Sequence, residues 1–146
     1  MAVELLQRGA PEELDALQQS PVHLAARRGH ADVLQLLQMA SFDMARPDLE
    51  GLTPLMWAAS GGHVPAVEVL VAQGGLHARD LSGQSALHWA RGHPEVAYVL
   101  LAFGADVQAQ DELKRTAADW ARHFEDRQLL ELLEGPVRKP WVVDVP

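Results

Sequence analysis

The chain has no cysteine, which excludes a disulfide framework, a thiolate nucleophile and any cysteine-built zinc site. Asparagine and isoleucine are also missing, and the only lysines are Lys114 and Lys139. That bias points to a GC-rich genome rather than to a function, and the abundance of glutamine argues against thermal adaptation. No apolar run reaches the roughly 18 residues of a membrane span, and the opening MAVELLQRGAPEEL has neither a basic flank nor an apolar stretch, so neither a transmembrane helix nor a secretory signal is expected. The expectation is a soluble, intracellular protein, cytoplasmic or nuclear. Clustered lysine and arginine are scarce, and the formal net charge of −8 disfavours nucleic acid and anionic membranes, whose binding rests on phosphate contacts. The acidity is spread thinly, as on a solvated surface. With 146 residues, one folded domain is expected.

What is present is a repeat. A serine or threonine followed by proline or alanine returns at Ser20, Thr53, Ser85 and Thr116, at steps of 33, 32 and 31 residues. Such a period means one supersecondary unit copied and stacked, each copy unable to bury its apolar face alone. Each of these residues can cap a helix, and Pro21 and Pro54 suit the first helical position. Gly29, Gly62 and Gly92 close that helix. A second helix follows, with apolar residues at helical spacing: Val33, Leu34, Leu36 and Leu37; Val67, Val69, Leu70 and Val71; Val96, Val99, Leu100 and Leu101; Leu129, Leu130, Leu132 and Leu133. Gly74 and Gly104 are expected to end it. Small residues in the first helix (Ala25, Ala26, Ala58, Ala59, Ala90 and Ala121) let paired helices approach closely. DLEG from Asp48 and DLSG from Asp80 read as hairpin tips.

DLEGLTPLMWAASGGHVPAVEVLVAQGG and DLSGQSALHWARGHPEVAYVLLAFGADVQAQD resemble ankyrin repeats, and the resemblance extends over about residues 5 to 135. It implies an all-α ankyrin-repeat solenoid of helix-turn-helix units joined by short β-hairpin-like loops. The expected division is a partial repeat over 1–19, where Gly9, Leu14 and Leu17 carry the likeness. Repeats follow over 20–47, 48–79 and 80–110, with a C-terminal capping repeat over 111–135 and an extended tail over 136–146. Lys114 replaces the turn glycine of the last hairpin, at a cost of up to ~1 kcal/mol if positive φ is kept. The third repeat lacks two residues between Ala90 and Gly92, which should shorten its first helix. The tail PVRKPWVVDVP carries three prolines and cannot continue a helix. Disorder, docking of Trp141 on the last repeat, and service as a ligand for another protein all stay open for it.

Trp57, Trp89 and Trp120 share one repeat position, which Leu24 fills one repeat earlier. Trp57 lies about 200° around its helix from the core-facing Leu55, taking about 100° per residue. In an ankyrin-like array that direction is the concave groove. These indoles either brace the stack or anchor a partner. The second reading adds Ser60 on the same helix face, Leu49, Leu52, Leu81 and Leu113 at or near the hairpin tips, and Glu50, Gln84 and Arg115 beside them. Apolar residues on fingers that should be wet suggest a binding patch, and the resemblance places partner contacts on this surface. The expectation is a non-catalytic module that binds a protein or peptide, a regulatory subunit or inhibitor being one concrete form, and is monomeric by itself. Two alternatives are a tryptophan cage for methyl-lysine built on Trp57 and Trp89, which resembles some ankyrin arrays attached to histone lysine methyltransferases, and a purely structural scaffold. His23 and His88 fall in a PLH-like motif and His30, His63 and His93 in a GH turn, so structural hydrogen bonding is expected of them. His77 and His123 have no partner at ligand spacing. No metal, cofactor or catalytic residue is assigned.

Overall fold

The computed structural model describes residues 14–134, within which the chain forms eight helices and no strand. Gly9 of the partial repeat, Gly135 and the tail with Trp141 lie outside the described residues. The helices come in pairs: α1 (Pro21–Arg28) with α2 (Ala31–Met39), α3 (Pro54–Gly61) with α4 (Val64–Val71), α5 (Ala86–Trp89) with α6 (Pro94–Ala102), and α7 (Ala117–His123) with α8 (Arg127–Glu134). First helices stack in the order α1, α3, α5, α7, and second helices α2, α4, α6, α8 stack behind them. This is a two-layer all-α solenoid.

The capping residues act where the repeat put them. The hydroxyls of Thr53 and Thr116 accept the amides of Met56 and Asp119 at 3.3 and 3.2 Å. The side chain three residues into the helix returns the bond: His23 and His88 accept the amides of Ser20 and Ser85 through Nδ1, and Asp119 accepts that of Thr116. The other nitrogen of each ring donates across to the next repeat, His23 to the carbonyl of Leu52 and His88 to that of Arg115. His63 and His93 likewise donate backward, to the carbonyls of Arg27 and Ser60. Four of the seven histidines thus tie one repeat to another.

Between the layers Leu34, Leu37, Leu55, Leu70, Leu100 and Leu129 are sealed from solvent, each contributing roughly 1.5–3 kcal/mol. The six alanines expected at the close approach of helices are buried. Of the apolar positions expected to face inward on the second helices, Leu36 differs: it is 41% exposed, because at its angle on α2 it turns away from both α1 and α4. The helices also stop earlier than expected, at Val71 and Ala102, and Gly74 and Gly104 sit in the following turns with φ near +100°. The two missing residues of the third repeat cut α5 to a single turn.

Loops at 15–19, 48–52, 80–84 and 111–115 form four stacked hairpin fingers, each closed between its first and fifth residues, as in Asp48 N–H to the Leu52 carbonyl at 2.8 Å. Neighbouring fingers are joined by backbone bonds: Leu49 N–H to the Leu17 carbonyl, Leu81 to Glu50, and Glu112 to Ser82. The fourth finger residue needs positive φ, and Gly51 and Gly83 supply it. Lys114 adopts it too, at 63°, and Gln18 does so at 62°. At Gly51 an added Cβ would lie 2.9 Å from the amide nitrogen of Leu81.

Lys114→Gly relieves the left-handed strain, so its thermal midpoint should rise by about 2–4 °C. Gly51→Ala should lower it, and the reverse order in a circular-dichroism melt would contradict this account of the fingers. Burial pushes the His88 imidazole below its ordinary value, against the bond it donates to Arg115 and the field of Asp111. Its folded value being the lower one, His88 contributes stability above about pH 6.5 that is lost as pH falls through the folded value. His88→Met, which copies Met56 at the same repeat position, should flatten the fall in melting temperature between pH 7 and pH 5.

Candidate functional site

The site is built on the finger aspartates. Asp48, Asp80 and Asp111 open their fingers, and Oδ1 of each accepts two amides of its own loop at 2.9 Å: Glu50 and Leu52, Ser82 and Gln84, Leu113 and Arg115. The second oxygen accepts an indole. Trp57 Nε1 donates to Asp48 Oδ2 at 3.0 Å, Trp89 to Asp80 at 2.9 Å and Trp120 to Asp111 at 3.0 Å. Each tryptophan therefore clamps its helix to its own finger. All three carboxylates are buried. Burial works to raise the Asp111 carboxyl, but the Arg115 and Leu113 amides, the Trp120 indole and the Arg115 guanidinium outweigh it and hold the group below the usual range.

The spacing of nine residues between aspartate and tryptophan, in all three repeats, is the signal that could have revealed this clamp. In the first repeat Leu24 stands in for tryptophan and has no donor. Asp15 still folds its own finger through the amides of Leu17 and Gln19, and it is exposed.

The indoles are half-buried and their faces carry arginine. Arg27 lies 4.8 Å from the Trp57 ring centre, and Arg115 lies 3.9 Å from that of Trp120. Arg91 is shared by Trp89 at 5.4 Å, Trp120 at 4.7 Å and Phe124 at 5.4 Å. A methylated ammonium would meet ring faces already engaged by the chain's own cations.

The fingertips carry a row of exposed leucines: Leu49 at 59%, Leu81 at 70% and Leu113 at 69%, extended by Leu17 at 51%, which composition alone did not single out as a tip. Glu50 is exposed beside them and Ser60 is partly accessible. Leu52 and Gln84, expected on this surface from the sequence, do not belong to it. They are the fifth residues of their fingers, 5% and 8% exposed, with their amides turned onto Asp48 and Asp80. The hairpin projects its second and third residues and buries its fifth, the Leu52 carbonyl meeting His23 of the preceding repeat. Arg115 occupies the same place in the last finger, remains half-buried, and pairs with Asp111 at 3.1 Å.

A family model for ankyrin repeats in three copies matches residues 1–75 and 22–111. Human ankyrin repeat domain-containing protein 63 is 43% identical over 46% of this chain and 18% of its own length. The pig NF-kappa-B inhibitor alpha is 34% identical over 65% of the chain and 33% of its own. The E3 ubiquitin-protein ligase KEG of Arabidopsis thaliana is 33% identical over 92% of the chain and 9% of its own. The chain thus spans at most a third of the length of these relatives. Four stacked fingers over paired helices, and a family match across most of the sequence, make this chain a member of the ankyrin repeat family, a protein-interaction fold.

Proposed function

We propose that the chain binds a protein or peptide partner through its fingertips and the adjoining groove, acting by occupancy and not by catalysis, as a regulatory subunit or inhibitor would. The observation that carries this reading is the row Leu17, Leu49, Leu81 and Leu113, four large apolar side chains held in water on successive fingers. Folding gains nothing from them there, whereas covering them on association releases roughly 25 cal/mol per Å² of apolar surface. The inhibitory role named for one relative is consistent with binding by occupancy.

A structural role for the tryptophans stands beside this reading, supported by the aspartate clamps. The two are compatible: the indoles stiffen the fingers, and the leucines at the tips make the contact.

Combined Leu49→Asp, Leu81→Asp and Leu113→Asp changes should each alter stability by less than about 0.5 kcal/mol and abolish retention of any partner that the parent chain captures. A partner held equally well by the triple variant would rule out the fingertip surface. Trp89→Phe removes the indole donor and leaves an Asp80 oxygen without it, which should cost about 1–3 kcal/mol in denaturant unfolding while the partner is still bound. Undiminished stability would mean that the clamp does not brace the finger.

A further inference from the structure

Charge is divided between the two helix layers. The first helices carry Arg27, Arg28 and Arg122 against Asp119, and Arg91 lies two residues past the end of α5. The second helices carry Asp32, Glu68, Glu95, Glu131 and Glu134 against Arg127. The arginines of the first layer are largely offset by Asp48, Asp80, Asp111 and Asp119, so a free positive charge there is local and not a property of the whole groove.

Arg91 is distinct within it. Arg115 pairs with Asp111, and Arg122 pairs with Asp119 and Glu134. Arg91 makes no ion pair and donates no hydrogen bond among the described residues, although it is half-buried and held over three aromatic rings. A guanidinium lying over aromatic rings, with no acceptor bonded among the described residues, leaves its N–H donors for a carboxylate.

Beside it the array is open. At the first two helix turns an added Cβ on Gly29 or Gly62 would lie 2.5 Å from the imidazole of His63 or His93. At Gly92 nothing lies within 4 Å of that position, because the third repeat is short and Asp126 stands where the next histidine would be. The resulting cleft, of about 530 Å³, is lined by Arg91, Gly92, Pro94, Phe124, Asp126 and Gln128. Asp126, its one carboxylate, is engaged by the amides of Gly92 and Leu129 at 3.0 and 3.1 Å.

We infer that this cleft between the third and fourth repeats, with Arg91 in its wall, receives an aspartate or glutamate side chain of an extended peptide. The inference rests on the groove reading proposed above and specifies the partner's chemistry: its groove-binding segment is acidic. A peptide fits better than a nucleic acid, because one or two carboxylates can be met locally, while a continuous polyphosphate would also face the surrounding negative charge.

The test is to select binders to the full chain from a random peptide library and to measure the selected peptides by fluorescence anisotropy and by the indole N–H signals of Trp89 and Trp120. The expected result is enrichment of Asp and Glu, affinity weakened about tenfold or more by Arg91→Gln, and partial recovery with Arg91→Lys, which keeps the charge and gives up the planar stack. Melting curves of both variants separate lost binding from lost folding, since the two share the loss of stacking and differ in charge. Peptides that move the indole signals yet show no acidic preference, or ignore Arg91→Gln, overturn the inference and leave the groove reading standing. A library that yields no peptide moving those signals removes both. Oligodeoxythymidine binding as tightly as the best peptide, with the same loss in Arg91→Gln, would assign the cleft to phosphate and likewise overturn the inference.

Discussion

Three of the four fingers depend on a carboxylate that is buried and fully satisfied. Asp48, Asp80 and Asp111 each accept two loop amides and one indole, and hydrogen bonds to an ionised group each contribute about 1.5–3 kcal/mol. Leaving any of those oxygens dry and unpaired would cost a comparable amount. One side chain thereby fixes the turn of its finger and the angle of that finger to the helix, and the fingers then pair with one another through backbone bonds. The recurrence of tryptophan follows from the same requirement. It is the side chain at that helix position that can fill the space beneath the finger and still present a donor to the second oxygen.

That dependence also orders the groove. Once an indole is fixed edge-on to its aspartate, its faces are available, and Arg27, Arg91 and Arg115 lie over them. Cation–π attraction and shielding of the ring make this a natural resting place for a long cationic side chain. The fingertip leucines differ in kind: their backbones join the fingers, but their side chains stand in solvent, and the proposed docking surface rests on that exposure.

The period, the helix starts and the shortened third repeat could all be read from the sequence, because each is signalled by residue types with narrow conformational roles. The half-buried tryptophan row and the exposure of three of the tip leucines are legible on the same basis. The aspartate-to-indole bond was not, since its spacing of nine matches no helical or strand period and arises only when a finger folds back over a helix. Leu52 and Gln84 belong on the surface only if a hairpin is wet throughout, whereas this hairpin buries its fifth residue. Gln18, and Glu125 at φ 55°, carry no signal in the sequence, because neither residue type is tied to left-handed backbone.

The junctions between repeats are unequal. At the first two, an imidazole from the later repeat reaches back under a glycine turn and donates to a carbonyl of the earlier one. At the third, a carboxylate accepts an amide instead, and the first helix on its N-terminal side is a single turn. Nearest-neighbour interfaces govern the cooperativity of stacked arrays, so this seam divides the molecule energetically. The single-turn helix makes loss of the fourth repeat ahead of the others the expected order at the onset of denaturation.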